Sequence, residues 1–238
     1  MNQIGLFAKF WQPGTVKTRL AASIGASAAC DLYYAFVSHL INRFEDIGDT
    51  RTVVFSPPDR ESEFRNSIPD AWVLCPQSAG DLGNRMKSFF VNQFAQINNK
   101  SNQPNKIVVI GADCHLAPDQ IQAAFDLLDD TSVVLGPSTD GGYYLIAMRD
   151  TCFDVFANIE WSTEMVFDQT VRHLNDQQVK FETLPPMTDI DELDSLVALE
   201  SELMSRRTNG SLDKLDVELL DRISEATAHG PPPERSDV

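Results

Sequence analysis

The sequence predicts an α/β fold, a mainly parallel sheet flanked by helices, and three observations carry that reading. Short apolar runs of strand length alternate with longer stretches whose apolar residues recur every three to four positions. The strongest run, Ile107–Ile110, is continuous and wholly β-branched, as in strands covered on both faces. The chain has 238 residues, 42% of them apolar, enough for one α/β domain with a large core and short for two full ones.

Each element follows from its own pattern. Ile4–Ala8 is an opening strand, and Gln12-Pro13-Gly14 marks a loop after it. Ala28 to Phe44 is a helix, because Leu32, Phe36, Leu40 and Phe44 recur every four residues beside Val37 and Ile41. Thr52–Phe55 is a strand closed by Pro57-Pro58, and Trp72–Leu74 is another short one. Leu82 to Ile97 is helical, with Leu82, Met86, Phe89, Phe90, Phe94 and Ile97 on one face. Asn98 to Asn105 is a polar loop before the Ile107–Ile110 strand. Pro118 suits the first turn of a helix reaching Leu128. Val133–Leu135 and Tyr143–Met148 are strands. A helix with Ser162 as N-cap runs to about Leu174, and Val179–Leu184 is the last strand. Asp191 to about Arg206 and Asp213 to Ala226 are helices, and the proline-rich end from Gly230 is a disordered tail.

Charge narrows the function. Lysine and arginine number 19 against 35 acids, a net of −16. Such a surface argues against a general nucleic-acid or anionic-membrane binder, and the opening apolar run Ile4 to Phe7, cut short by Lys9, is too short for a membrane span or signal region. Phosphate ligands are still compatible, because they need only a local basic pocket. Cys30, Cys75, Cys114 and Cys152 lack zinc or C-x-x-C spacing, which reads as reduced thiols in the cytoplasm.

Ligands of open α/β sheets bind beyond the carboxyl ends of the strands, so the segments following strands are the candidates. After the first strand, Lys9, Lys17 and Arg19 concentrate three cations within eleven residues, with Gly14 permitting close backbone approach. The alternative is an ordinary solvated loop. After the central strand, Asp113 is placed to bind a metal that bridges phosphates, or to cap the next turn; magnesium favours one or two carboxylates plus phosphate oxygens. His115 beside it is more simply incidental. The Gly136–Tyr144 segment is either a plain connection or a pocket wall, with Asp140 binding a metal or an acceptor hydroxyl and Gly141-Gly142 letting backbone approach a ligand. Asp191 is either the N-cap of its helix or a partner to Asp113 at the metal. Gly80–Met86 opens a helix, a natural anion site that would bring Arg85 near phosphate. Trp161 either stacks on a base or sugar or packs in the core. Walker A, G-x-G-x-x-G and G-x-S-x-G patterns are all missing.

In order, Phe7-Ala8-Lys9 with Pro13-Gly14-x-Val16-Lys17-Thr18-Arg19-Leu20, Gly80-Asp81-Leu82-Gly83-x-Arg85-Met86, Ile110-Gly111-Ala112-Asp113-Cys114, Leu135-Gly136-Pro137-x-x-Asp140-Gly141-Gly142-Tyr143-Tyr144-Leu145-Ile146, Trp161-Ser162-Thr163 and Asp189-x-Asp191 form six spaced blocks from about residue 4 to 196. Together they resemble the bacterial DUF2064 group, also called radical-SAM/selenodomain-associated transferase 1. The resemblance implies the GT-A, or nucleotide-diphospho-sugar transferase, fold: a single three-layer α/β/α domain with a mostly parallel sheet. The expected organisation is a transferase domain at 1–206, a C-terminal helical extension at 207–228 and a disordered tail at 229–238, with residues after about 200 outside the resemblance.

The resemblance also implies an enzyme: a metal-dependent glycosyltransferase moving a sugar from a nucleotide sugar to a small acceptor. The Lys17 and Asp140 blocks are similar to those of nucleotidyltransferases as well, which would use an NTP and release pyrophosphate. A non-catalytic nucleotide-binding protein is the third reading. In either enzyme the implied metal is Mg2+ or Mn2+ held by Asp113 and Asp191. Lys9, Gly14, Lys17, Arg19, Arg85, Gly141 and Gly142 would bind donor phosphates, and Asp113, Asp140 and Lys17 would be catalytic, Asp140 as base or acceptor-positioning group. The chain departs from the family pattern in three places. Phe10-Trp11-Gln12 precedes Pro13 where a small-Pro-basic run is usual, His115 stands where proline is usual, and Glu192-Leu193 replaces a frequent Thr-Pro.

Overall fold

The computed structural model describes residues 1–97 and 103–228. The expected tail at 229–238 and the first part of the Asn98–Asn105 loop lie outside the described residues. Along the chain the elements run β1 (Asn2–Lys9), α1 (Thr18–Ile24), α2 (Ala26–Arg43), β2 (Thr50–Ser56), α3 (Glu61–Ser67), β3 (Val73–Pro76), α4 (Leu82–Ile97), β4 (Lys106–Gly111), α5 (Pro118–Leu127), β5 (Val133–Pro137), β6 (Tyr143–Arg149), α6 (Val166–Asp176), β7 (Phe181–Thr183), α7 (Leu193–Thr208) and α8 (Lys214–Ala228). They form two compact units. Met1–Ala8 with Phe44–Asp189 is the first, and Lys9–Arg43 with the described residues from Ile190 on is the second.

The first unit carries the sheet, seven strands among the described residues in the order β3-β2-β1-β4-β6-β5-β7. β1 pairs with β4 in parallel, Leu6 opposite Ile110, and β2·β3 and β5·β7 are also parallel. Strand β6 runs antiparallel to its neighbours β4 and β5. The direct Ser138–Gly142 turn explains this: so short a link joins antiparallel strands, whereas a parallel pair needs a crossover. The expected mostly parallel α/β sheet is therefore present, with one reversed strand.

The core of this unit is aromatic where α4 meets the sheet. Phe89, Phe90 and Phe94 are buried with Val109, Leu135, Ile146 and Phe156. Phe90 stacks on Phe94 and Phe156 at 6.2 and 6.1 Å between centroids. Gly5 on β1 makes room for this helix, because a Cβ there would lie 2.6 Å from the Phe89 ring.

The second unit is helical. Leu20, Leu32, Phe36, Ile190, Leu196, Leu203, Leu219, Leu220 and Ile223 form one apolar cluster drawn from all four of its helices and the Ile190 turn. Polar contacts add to it at one place. Asp216 of α8, 1% exposed, accepts from Arg206 of α7 at 2.7 Å and from Arg43 of α2, with His39 Nε2 at 3.6 Å. A buried carboxylate needs such partners to stay charged away from water. None of the described helices is long and apolar enough to cross a membrane.

Several boundaries differ from expectation for identifiable reasons. Thr18–Ile24 is a helix that the sequence pattern leaves unassigned; its seven residues make about two turns, too short for a clear period, and Gly25 (φ 89) ends it before α2. Helix α3 has no sequence signal either, because Phe64 is its only buried residue and no apolar stripe exists. Ser162 does not cap α6. It sits at φ 66, and the helix starts at Val166 after a turn that the Thr163 hydroxyl closes by donating to the Glu160 carbonyl at 2.7 Å. Nor is Asp191 a cap, since the α7 N-cap is Glu192, whose amide donates to the Ser195 hydroxyl at 3.3 Å.

Candidate functional site

The cation-bearing loop belongs to the second unit. Its first turn is closed by the Thr15 amide and hydroxyl, both bonded to the Gln12 carbonyl, at 3.0 and 2.8 Å. Gly14 takes φ 80, which the turn requires and glycine supplies without strain. Lys17 follows in the left-handed region at φ 47, ψ 45, while its carbonyl accepts from Ala21 and starts α1. A non-glycine residue there costs about 1 kcal/mol or more and persists only when its surroundings hold it.

What holds Lys17 is the finding that the sequence did not disclose. Its side chain is 2% exposed, and its ammonium donates to Asp191 Oδ1 at 2.9 Å, above the Phe36 ring at 5.9 Å. Asp191 is 36% exposed, and this bond engages one of its two oxygens. The structure thus unites a residue expected at donor phosphates with one expected at the metal. Lys9 and Arg19 differ from Lys17 in being exposed; Arg19 lies 3.9 Å from Glu192. Phe10, Trp11 and Tyr34 pack beside the loop, with Trp11 and Tyr34 centroids 4.6 Å apart.

The remaining candidates belong to the first unit. Asp113 is exposed in the turn after β4. Asp140 organises the β5–β6 turn: its carboxylate accepts from the Ser138 hydroxyl and from the Gly142 amide, the latter at 2.9 Å. Gly141, at φ 90, lies so close to the start of α6 that a Cβ would come 2.2 Å from the Glu164 carbonyl oxygen. Its own carbonyl accepts from Phe167 at 2.8 Å. Gly141 therefore has a packing role on view, fastening the turn to the start of α6, while Gly142 lies against Asp140 and Ser138 of its own turn.

Arg85 is held back along its own helix. Its Nε donates to the Gly80 carbonyl at 2.9 Å and its guanidinium reaches Gln77 Oε1 at 3.2 Å; Gln77 in turn donates to the Val54 carbonyl at 2.8 Å. The N-terminus of α4 is capped by Asp81, which accepts from the Asn84 amide at 2.8 Å. Trp161 lies on Gly83, where a Cβ would meet the indole at 2.4 Å, and faces Tyr143 edge-on at 6.4 Å. The second glycine of the Gly80–Met86 block is thereby explained by packing.

Tyr144 covers Gly136, and its phenol donates to the Pro185 carbonyl at 3.2 Å. Burial, with the neighbouring Cys114, pushes this phenol up to about 12, so near neutral pH it acts as a hydrogen-bond donor. Burial likewise raises the thiols of Cys30, Cys75 and Cys152, Asp31 adding to the effect at Cys30, and all four cysteines are free. Asp113 and Asp191 lie in different units.

As oxygen donors, Asp113 and Asp191 suit a hard divalent ion such as Mg2+ or Mn2+. Asp191 further meets a test of fit on this structure, since its carboxylate already holds one cation, the Lys17 ammonium, at 2.9 Å.

Among known proteins, no curated protein matches by sequence. A structure from Desulfovibrio desulfuricans G20, provisionally described as a nucleotide-diphospho-sugar transferase, is 26% identical, with 95% of this chain and 96% of that one covered at a TM-score of 0.81. The 4-diphosphocytidyl-2C-methyl-D-erythritol synthase of Anaerococcus prevotii DSM 20548 is 9% identical, covering 86% of this chain and 98% of that one at 0.53, a likeness of fold. The fold is thus that of the nucleotide-diphospho-sugar transferases. The family model described as "Uncharacterized protein conserved in bacteria (DUF2064)" matches residues 41–163, more than half of the 238, and the chain belongs to that family.

Proposed function

We propose that this chain is a cytoplasmic transferase that moves a glycosyl group from a nucleotide sugar to a small acceptor. The observation that carries the reading is the likeness along 95% of the chain, at a TM-score of 0.81, to a protein provisionally described as a nucleotide-diphospho-sugar transferase. Asp113 and Asp191 would hold Mg2+ or Mn2+. Such an ion, when bound, supplies Lewis-acid stabilisation of negative charge on the donor's phosphates. The chain's own cations add fixed positive charge: Lys9 at the end of β1 and Arg19 in the first turn of α1 are exposed on either side of the connecting loop, where a diphosphate can reach them. Gly14 lets that diphosphate approach the backbone. Asp140 would position or deprotonate the acceptor hydroxyl, and Gly141-Gly142 would form the wall beside it.

Nucleotidyl transfer is the second reading. The same exposed Lys9 and Arg19 favour it, because a triphosphate brings more negative charge to neutralise than a diphosphate does.

Thermal unfolding against NTPs and nucleotide sugars, each with and without Mg2+ or Mn2+, separates these readings. A ligand at a hundred times its Kd adds about 2.7 kcal/mol, or roughly 5–10 °C for a chain of this size. A metal-dependent rise with one nucleotide sugar, lost in Asp113→Ala, is the expected result. A rise with NTPs alone selects nucleotidyl transfer, and no rise with any ligand refutes both.

A further inference from the structure

Lys17 is at once the most buried cation of its loop and the partner of the carboxylate expected to take a metal. The cations flanking it are solvent-facing: the Arg19 side chain, in the first turn of α1, is 68% exposed against 2% for Lys17. A strained backbone directs the Lys17 side chain inward, and the ammonium ends 2.9 Å from Asp191 Oδ1 with the Phe36 ring beneath it. Low accessibility matters here, because charges shielded from water interact far more strongly than surface charges at the same separation.

A divalent ion bound to Asp191 would share one carboxylate with this ammonium. Two cations on one carboxylate repel each other, so the ion binds more weakly than it would to Asp191 alone. A diphosphate arriving at the same place changes the balance, since its oxygens are anionic partners for both cations.

We infer that Lys17 couples the two binding events: it weakens metal binding at Asp191 until donor phosphates are present, and so makes metal retention conditional on donor. This inference rests on the reading that Asp191 is a metal ligand. Lys17 is thereby a coupling residue that shares the phosphates with the ion, and Lys9 and Arg19 add the solvent-exposed contacts. The device resembles an internal competitor, with an ammonium holding the carboxylate that a divalent ion is to use.

The test is Mn2+ affinity of the full chain, read from the free-ion electron spin resonance signal, in wild type, Lys17→Met, Asp191→Asn and the double variant. Methionine keeps the aliphatic stem and removes the charge; Lys17→Gln is measured alongside, so that a fold defect in one variant does not decide the result. Mn2+ alone should bind Lys17→Met about tenfold more tightly than wild type, a coupling of ordinary size. Asp191→Asn and the double variant should bind weakly and alike. Adding methylenediphosphonate should shrink or reverse the gap between wild type and Lys17→Met; chelation in solution is common to both proteins and cancels from that comparison.

Mn2+ binding to the neutral variants that is no tighter than to wild type overturns the inference, and so does a gap that methylenediphosphonate leaves unchanged. If Asp191→Asn binds Mn2+ as wild type does, the metal assignment of Asp191 fails and takes the inference with it. A weakened Asp191→Asn beside an unchanged Lys17→Met leaves the assignment standing and removes only the coupling.

Discussion

Two residues with the same sequence rationale have different structural fates. Gly14 and Gly141 were both expected to admit a ligand to the backbone. A Cβ on Gly14 would meet nothing within 4 Å, whereas one on Gly141 would collide with the backbone of Glu164. Gly14 therefore retains the open approach a ligand needs, and Gly141 carries a packing duty in addition. Gly141→Ala combines a left-handed φ with that backbone collision, and we expect a loss of about 2–4 kcal/mol, measured by urea unfolding. A loss under about 0.5 kcal/mol, the usual size for a neutral surface change, would contradict the packing role.

At the scale of elements, α8 is bound into its unit by two kinds of contact. Leu219, Leu220 and Ile223 are buried with residues of α1, α2 and α7, and Asp216 joins Arg43 and Arg206. Ending the chain before Lys214 would expose the partners of three large apolar side chains, each worth about 1.5–3 kcal/mol on burial, and remove the Asp216 carboxylate that Arg43 and Arg206 share. We expect such a truncation to lower the melting temperature by more than about 10 °C or to render the protein insoluble. A truncated chain with the full-length melting temperature would mean that α8 is a dispensable extension. The pattern of α8 was legible in its apolar spacing. Its dependence on Asp216 was not, because Arg43 and Arg206 look like ordinary surface cations until their helices are packed.

Taken as a whole, the molecule is strongly acidic, 35 acids against 19 basic residues. Excess charge of one sign opposes compaction, and salt screens it within about 10 Å at 0.1 M. Raising sodium chloride from very low concentration to about 0.5 M should therefore raise the melting temperature by about 2–4 °C, as read by calorimetry. A fall would mean that ion pairs such as Arg43–Asp213 and Lys87–Asp154 outweigh the repulsion. The same scarcity of cations is what made the loop of Lys9, Lys17 and Arg19 stand out in the sequence.

Legible in the sequence were the alternation of strands and helices, the core residues of α2, the Met86, Phe89, Phe90 and Phe94 face of α4, and the family blocks that carry the candidate residues. These are local properties, written in periods of two and 3.6 residues and in turn chemistry. Leu82, expected on that α4 face, is 46% exposed because it opens the helix at its free end. How the candidate residues are engaged becomes visible only once the chain is folded. Lys17 and Asp191 are 174 positions apart and bear opposite charges in a chain with many acids, so no spacing rule could pair them. Nor could spacing show that Asp140 holds its own turn, or that Trp161 needs the missing side chain of Gly83. Contacts between distant segments depend on how helices and strands pack, and packing follows from the sum of many burials rather than from any single motif.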